Sequence, residues 1–221
     1  MKDGILIINK PDGMTSHDVV SRVRRKLNMK KVGHTGTLDP LATGVLVMLL
    51  GKSTKLSDKF IGMNKAYRAT LILGKTTDSA DIQGKITEEK PYADVTREKM
   101  EKVMSRFVGE IDQLPPMVSA VRVGGKRLYE LARKGLVVER TPRRVTVMVL
   151  KIEAFDLPYV RFYMECSKGT YVRQLAHDIG QALGCGACIS QIERTKVGDF
   201  SIEESVKLED IDESHIRHWT S

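Results

Sequence analysis

Long apolar runs, cysteines and aromatic residues are all scarce in this chain of 221 residues. The longest apolar run, residues 45–50, has six members, whereas a membrane-spanning helix needs roughly 20. The first thirteen residues hold an acid and a Lys-Pro-Asp-Gly break where a signal peptide would need a longer apolar core. We therefore expect a cytoplasmic protein with no membrane partner.

The three cysteines argue against a structural metal site. Cys185 and Cys188 are separated by two residues, but no second ligand pair exists, because Cys166 and His177 are isolated. A redox pair is the alternative, yet such a pair usually precedes a helix, and this one follows a predicted helix. We interpret these cysteines as small buried residues and predict no metal.

Positive charge is concentrated in two segments. The chain has a net charge of +8 and a pI of about 9.4. Residues 1–31 and residues 124–144 each carry a net +5, whereas residues 199–221 carry a net −5. This distribution favours a polyanionic partner such as a nucleic acid, although solvated basic helix faces would give the same pattern.

Hydrophobic periodicity predicts a mixture of strands and helices. Alternating or continuous apolar segments indicate strands, and 3.6-residue periodicity with capping residues indicates helices. A polar loop is expected at residues 73–86. The predicted strands are residues 4–9, 45–50, 67–73, 145–152 and 160–166. One predicted helix begins near Thr15. The other predicted helices span residues 52–60, 96–108 and 172–183. The fold class is therefore α+β.

The stretch at residues 33–51 holds one carboxylate, Asp39, directly before Pro40. A residue before proline is pushed out of the helical region, so we expect a loop to present Asp39. Lys30 and Lys31 lead into this loop, where they are placed to neutralise phosphates of a bound nucleic acid. An Asp-Pro pair that only forms a turn is the alternative.

A phosphate-binding loop is a second alternative for this stretch, because Gly51 precedes Lys52 and Ser53. Such a loop has four residues between its first glycine and the Gly-Lys pair. Six apolar residues separate Gly44 from Gly51 here, so the spacing disfavours a nucleotidase.

Two further residues are candidates for a site. Tyr67 begins a predicted strand and would either stack on a base or fill the core. Arg173 lies in the first turn of a predicted helix, an unfavourable place for a cation unless it has an anionic partner. A surface arginine tolerated at small cost is the alternative for Arg173.

Five motifs in order make the chain resemble the bacterial TruB-type tRNA pseudouridine-55 synthases over residues 3–206. The motifs are NKPDGMTSHDVV from Asn9, GHTGTLDPLATGVL from Gly33, KAYRATLILG from Lys65, QLPPMVSAVRVGGKRLYELARKG from Gln113 and SKGTYVRQLAHDIG from Ser167.

The resemblance implies a function and a fold. It implies isomerisation of uridine 55 in the tRNA T-loop to pseudouridine by base flipping, with a catalytic aspartate and no cofactor or metal. It also implies a central mixed, mainly antiparallel sheet flanked by helices, with a cleft across the sheet. A monomer is expected by analogy. The alternative function is a tRNA-binding or tRNA-folding module with little or no catalysis.

The same resemblance implies roles for individual residues. Asp39 matches the catalytic aspartate, Arg173 the arginine paired with it, and Tyr67 the tyrosine that stacks on the target base. The remaining substrate-binding candidates are His34, Lys10, Pro11, Tyr171 and Ile192. The candidates for contact with the RNA backbone are Lys30, Lys31, Arg127 and Arg143.

The chain departs from the family pattern in two places. The family usually has a C-terminal RNA-binding domain of the PUA type, for which a chain ending at residue 221 leaves no room. We expect a catalytic domain at residues 1–206, an acidic tail at residues 207–221, and weaker affinity for tRNA. The family often has two arginines where this chain has Glu193 and Arg194, which suggests one phosphate contact fewer.

Overall fold

The computed structural model describes residues 3–119, 121–132, 135–136 and 138–218. These residues form a mixed β-sheet structure with helices, which confirms the expected α+β class. The strands are β1 (Gly4–Lys10), β2 (Val32–His34), β3 (Thr43–Leu50), β4 (Lys65–Leu73), β5 (Lys75–Thr77), β6 (Ile86–Glu89), β7 (Gly109–Gln113), β8 (Arg122–Val123), β9 (Lys126–Arg127), β10 (Arg143–Asp156), β11 (Tyr159–Cys166), β12 (Ala187–Val197), β13 (Phe200–Ser201) and β14 (Val206–Lys207). The α-helices are α1 (Ser16–Lys26), α2 (Ser57–Ile61), α3 (Arg97–Met104), α4 (Leu128–Ala132) and α5 (Val172–Leu183).

The chain divides into two compact units. Unit 1 comprises Met1–Arg68 and Ile192–Ser221, and unit 2 comprises Ala69–Gln191. The candidate residues of the Asp39 stretch belong to unit 1, whereas Arg173 and Tyr171 belong to unit 2.

Unit 1 is built around β3. This strand pairs antiparallel with β1 along its whole length, from Gly4 opposite Leu50 to Lys10 opposite Gly44. Its other edge pairs antiparallel with β2 and parallel with β12, where Arg194 lies opposite Gly44. β14 extends the sheet by pairing in parallel with β1. The segment that carries Asp39 therefore connects two strands, β2 and β3, that are both fixed in the sheet.

A buried apolar cluster stabilises unit 1. Phe60 of α2 stacks on Phe200 with ring centroids 5.8 Å apart. Complete burial of an aliphatic or aromatic side chain contributes about 1.5–3 kcal/mol relative to exposure. The other members of the cluster are Ile5, Ile7, Val45, Val47, Leu49 and Val197.

The first helix begins where its sequence predicts. Thr15 caps α1 by accepting a hydrogen bond from the Asp18 amide, and the Asp18 carboxylate accepts from the Thr15 amide at 2.9 Å. This capping box satisfies backbone donors that would otherwise lack a partner. Val19, Val20 and Val23 are buried, and the exposed face of the helix carries its arginines.

The described residues after 206, which are residues 207–218, pack as part of unit 1. Arg217 forms a β-bridge with Ile5, and Leu208 and Ile211 are buried. The division into a catalytic domain at residues 1–206 and a tail stays a prediction.

Unit 2 contains the strand order β4–β11–β10–β7. β10 and β11 form an antiparallel hairpin, and β7 pairs antiparallel with β10. α3 packs against α5 and β10, so helices cover this part of the sheet. α5 ends at Gly184, whose positive φ of 88° matches a left-handed C-cap. No helix in the described ranges is long and apolar enough to cross a membrane.

The structure differs from the sequence predictions in four places. Residues 52–60 do not form one α-helix, because a 3₁₀ helix over Gly51–Leu56 precedes α2. Residues 73–86 are not only a polar loop, because β5 pairs there with β6. The helix predicted to run from residue 96 to 108 leaves α-helical geometry after Met104, and its last turn is a 3₁₀ turn over Ser105–Phe107. β12 was not predicted as a strand, although its pairing with β3 shapes the Asp39 region.

Candidate active site

Asp39 lies in the loop of residues 35–42, between β2 and β3, as its position before a proline predicts. The side chain is half-buried. The Asp39 carbonyl accepts a hydrogen bond from the Ala42 amide at 3.0 Å, which closes a turn around Pro40. This Asp39 loop therefore presents its carboxylate from an ordered turn.

Hydrogen bonds from Ser16 link the middle of the Asp39 loop to the start of α1. Its Oγ accepts a hydrogen bond from the Leu38 amide at 2.8 Å and donates one to the Leu38 carbonyl at 3.1 Å. Both side chains are buried. The residue before Asp39 is therefore held on both of its backbone polar groups.

Lys10, the last residue of β1, also forms a hydrogen bond to the loop. Its fully buried amine donates to the carbonyls of Pro11, Met14 and Pro40 at 2.7, 2.6 and 3.2 Å. Burial lowers the pKa of Lys10 to about 8, although the nearby Asp12 and Asp39 carboxylates act in the opposite direction. The next residue, Pro11, is exposed. Lys10 thus joins the turn after β1 to the residue after Asp39.

Arg194 is a buried contact of the loop and was not among the candidate site residues predicted from the sequence. Its Nε donates to the Val45 carbonyl at 2.7 Å, and its Nη2 donates to the Gly36 carbonyl at 3.1 Å. Only 3% of the residue is exposed. Alternation along β12 could have revealed it, because Arg194 shares a face with the buried Ile192.

His34 ends β2 and faces the same region. Its Nδ1 accepts a hydrogen bond from the Gly36 amide at 3.3 Å. Burial lowers the pKa of His34, and the positive charges of Arg194 and His17 lower it further. The Gly36 backbone acts on the pKa in the opposite direction, but the net lowering favours the neutral ring, in which Nδ1 can accept this bond.

The other candidates of unit 1 occupy two kinds of place. Tyr67 in β4 and Ile192 in β12 are buried, with 8% and 6% exposure, and the Ile192 carbonyl accepts from Thr43 Oγ1 at 3.4 Å. Lys30 and Lys31 are exposed and directly precede β2. The first pair suits a pocket wall, and the second pair suits contact with solvent or a charged ligand.

Arg173 in unit 2 is buried, with 2% exposure, and is not the surface cation of the alternative interpretation. Its Nη1 donates to the Ser79 carbonyl at 2.7 Å, and its Nη2 donates to the Val118 carbonyl at 2.8 Å. Nη1 also lies 3.4 Å from Oδ2 of Asp81. The unfavourable position of this cation at a helix start is therefore compensated by an anionic partner, as the local rule required.

Asp81 is a second residue that sequence reasoning missed. Its Oδ1 accepts hydrogen bonds from Ser79 Oγ at 2.7 Å and from the Gln83 amide at 3.1 Å. These bonds leave Oδ2 directed at Arg173. Asp81 is 92 positions from Arg173 in the chain, so no local pattern indicates the pair.

Tyr171 and Arg143 are linked to one glutamine in unit 2. The Gln113 side chain accepts from the Tyr171 amide at 2.7 Å and donates to the Tyr171 carbonyl at 3.0 Å. Arg143, which is exposed at the start of β10, pairs with Gln113 in the sheet. The side chain of Arg127 lies outside the described part of the structure. The pairing of Asp39 with Arg173 stays a prediction.

Family models match nearly the whole chain. The model for the TruB family pseudouridylate synthase N-terminal domain matches residues 24–172. The model for the tRNA pseudouridylate synthase B C-terminal domain matches residues 173–220. The chain belongs to the TruB family of pseudouridylate synthases. Asp39 lies within the residues that the first of these models matches.

Whole-chain relatives agree with this TruB assignment. The chain is 48% identical to the tRNA pseudouridine synthase B of Clostridium tetani, with 98% of this chain and 75% of that protein covered. It is 50% identical to the tRNA pseudouridine synthase B of Azoarcus sp., with 96% and 70% covered.

Solved structures share the TruB fold. A chain of a Cbf5–Nop10–Gar1 complex matches with a TM-score of 0.75 and 33% identity, covering 95% of this chain and 53% of that one. A chain of an H/ACA RNP bound to a substrate RNA containing 2'-deoxyuridine matches with a TM-score of 0.70 and 31% identity, covering 94% and 51%. This protein thus spans about half the length of those structural neighbours.

Proposed function

We propose that this protein converts uridine 55 in the T-loop of tRNA to pseudouridine. The observation that carries the proposal is the Asp39 loop, in which Ser16, Lys10 and Arg194 hold the backbone around one carboxylate. Its relatives in Clostridium tetani and Azoarcus sp. are named for this class of reaction. Family and loop geometry together favour an aspartate-dependent synthase.

The reaction needs a rigidly placed carboxylate more than a redox or hydrolytic group. The N1–C1′ bond of uridine breaks, a C5–C1′ bond forms, the C5 proton leaves, and N1 is protonated. Whether Asp39 first attacks the sugar or the ring is left open. Precise placement of the reacting group removes much of the entropic barrier, and the loop anchors provide that placement.

The other predicted site residues receive matching roles. Arg173 is proposed to pair with Asp39 in the bound complex. Tyr67 is proposed to stack on the target base. Neutral His34 is proposed to fill space beside the flipped nucleotide without adding charge. Lys10, Pro11, Tyr171 and Ile192 complete the proposed pocket.

Base extrusion must be offset by other contacts. Taking a base out of its stack costs about a few kcal/mol. Lys30, Lys31, Arg127 and Arg143 are proposed to contact phosphates and to offset this cost, which makes binding strongly salt-dependent. T-loop shape, more than base sequence, should then determine which RNA is bound.

We further propose that the protein acts as a monomer in the cytoplasm.

Tritium release tests the proposed activity. The protein is incubated with a T-arm stem-loop that carries [5-³H]uridine only at position 55, and tritiated water is measured. Release at that position, with none from a stem-loop labelled at a different uridine, is the expected result. Salt-dependent binding without release would instead favour a tRNA-binding module.

A further inference from the structure

Arg194 contacts both ends of the Asp39 loop. The Gly36 carbonyl lies at the start of the loop, and the Val45 carbonyl lies in β3 just after it. Lys10 and Ser16 hold only the middle, at Pro40 and Leu38. The guanidinium of Arg194 therefore joins the start of the loop to the strand that follows it.

The backbone of Arg194 is also fixed in place. It pairs with Gly44 in the parallel β12–β3 ladder. A Cβ added to Gly44 would lie 2.3 Å from the Arg194 carbonyl oxygen, so the two backbones are in close contact. The guanidinium therefore acts on the loop from a rigid strand.

A buried guanidinium is expensive to desolvate, and an apolar side chain would often fill the same place at lower cost. Arg194 is nevertheless buried, and it presents a planar group with several fixed donors, which a lysine cannot reproduce. Its positive charge also lowers the pKa of His34 and of Lys10. Arg194 therefore contacts the backbone on both sides of Asp39 and acts electrostatically on neighbouring side chains.

We propose that Arg194 is a positioning residue for the isomerisation, which sets the Asp39 carboxylate by clamping the Gly36 and Val45 carbonyls together. This role rests on the proposed function. The arginine acts on the substrate through the loop, and it is not proposed to touch the RNA.

Arg194→Lys and Arg194→Gln separate this role from a general contribution to folding. A lysine at position 194 keeps the positive charge but can contact only one of the two carbonyls, Gly36 or Val45. A glutamine removes the charge. Single-turnover rate constants are measured at saturating protein with a labelled T-arm stem-loop, together with the Kd for the same RNA. Hydrogen exchange of residues 35–45 and the denaturant midpoint are measured on the free protein.

We expect the rate constant to fall roughly tenfold in Arg194→Lys and roughly 100-fold in Arg194→Gln, because displacement of a reacting group by about 1 Å can cost that much. The Kd should change less than twofold, and exchange should rise in residues 35–45 more than elsewhere. Arg217→Gln is the matched control, because Arg217 donates to the carboxylate and the carbonyl of Glu204 and not to the Asp39 loop. That variant should keep the wild-type rate constant.

The outcomes decide the proposal in each case. A wild-type rate constant in folded Arg194→Lys would overturn it, as would unchanged exchange in residues 35–45. If Arg194→Gln does not fold, Arg194→Lys decides alone, and loss of folding in both variants would assign Arg194 to stability only. If the wild-type protein releases no tritium, it is the proposed function that fails.

Discussion

Replacing Asp81 with asparagine removes an anionic partner of the buried Arg173 while keeping side-chain shape. The substituted amide can still accept from Ser79 Oγ and the Gln83 amide through its carbonyl oxygen. It cannot compensate the charge of Arg173, whose Nη1 lies 3.4 Å from Oδ2 of Asp81. Both side chains are nearly inaccessible, with 2% and 9% exposure, so water screens the pair very little.

The magnitude follows from burial. Removing one partner of a buried ion pair typically costs about 3–5 kcal/mol, because the remaining charge is left in a low-dielectric site. The Ser79 and Val118 carbonyls still accept from Arg173, so we take the lower end, about 3 kcal/mol. In a protein of this size, 1 kcal/mol corresponds to about 2–4 °C, so the melting temperature should fall by about 6–12 °C.

Guanidinium denaturation and thermal unfolding of Asp81→Asn measure this effect. The matched control is Asp78→Asn, in the same loop, because exposed Asp78 accepts a single backbone bond from Lys85 at 2.9 Å. We expect less than about 1 kcal/mol for the control, in line with surface polar groups. If Asp81→Asn were as stable as Asp78→Asn, the buried pair would not stabilise unit 2 and the reasoning would be wrong.

Three further changes test unit 1. The free energy of unfolding of the wild type, measured relative to Lys10→Met, should rise by about 2–3 kcal/mol between pH 8 and 10.5, because the unfolded chain still holds the proton that folded Lys10 loses. A difference that does not change with pH would contradict the lowered pKa of Lys10. Gly44→Ala should lower the free energy of unfolding by about 3 kcal/mol, and Gly13→Ala by about 1 kcal/mol, as measured by denaturant unfolding. Both glycines have a positive φ, but only at Gly44 would the added Cβ meet backbone, 2.3 Å from the Arg194 carbonyl oxygen. Equal losses of stability would refute the close contact. Lys30→Gln combined with Lys31→Gln should lower the slope of log K against log salt for tRNA binding by about 2, whereas Lys207→Gln should leave it unchanged.

Elements with local signals could be predicted from the sequence. The start of α1 was predictable because Thr15, Asp18 and the valine stripe lie within one short segment. The loop position of Asp39 was predictable because a following proline restricts its backbone. In both cases the information lies within a few residues of the element.

Features that depend on distant parts of the chain were not predictable in this way. β12 forms in part because Glu193 and Arg194 pair with Thr43 and Gly44, about 150 positions earlier. The position of Arg173 at a helix start raised the possibility of an anionic partner, but the sequence could not indicate Asp81. The hairpin of β5 and β6 was missed because β6 is exposed along its length and carries no apolar alternation.

The most direct test of the central claim is tritium release by Asp39→Asn. The assay uses a T-arm stem-loop labelled at C5 of uridine 55, with binding of the same RNA measured in parallel. Asp12→Asn is the control, because exposed Asp12 accepts a single backbone bond from Gly13 at 2.7 Å. We predict no release by Asp39→Asn, with near wild-type RNA binding, and normal release by the control. Wild-type turnover by Asp39→Asn would contradict the assignment of Asp39 as the catalytic residue.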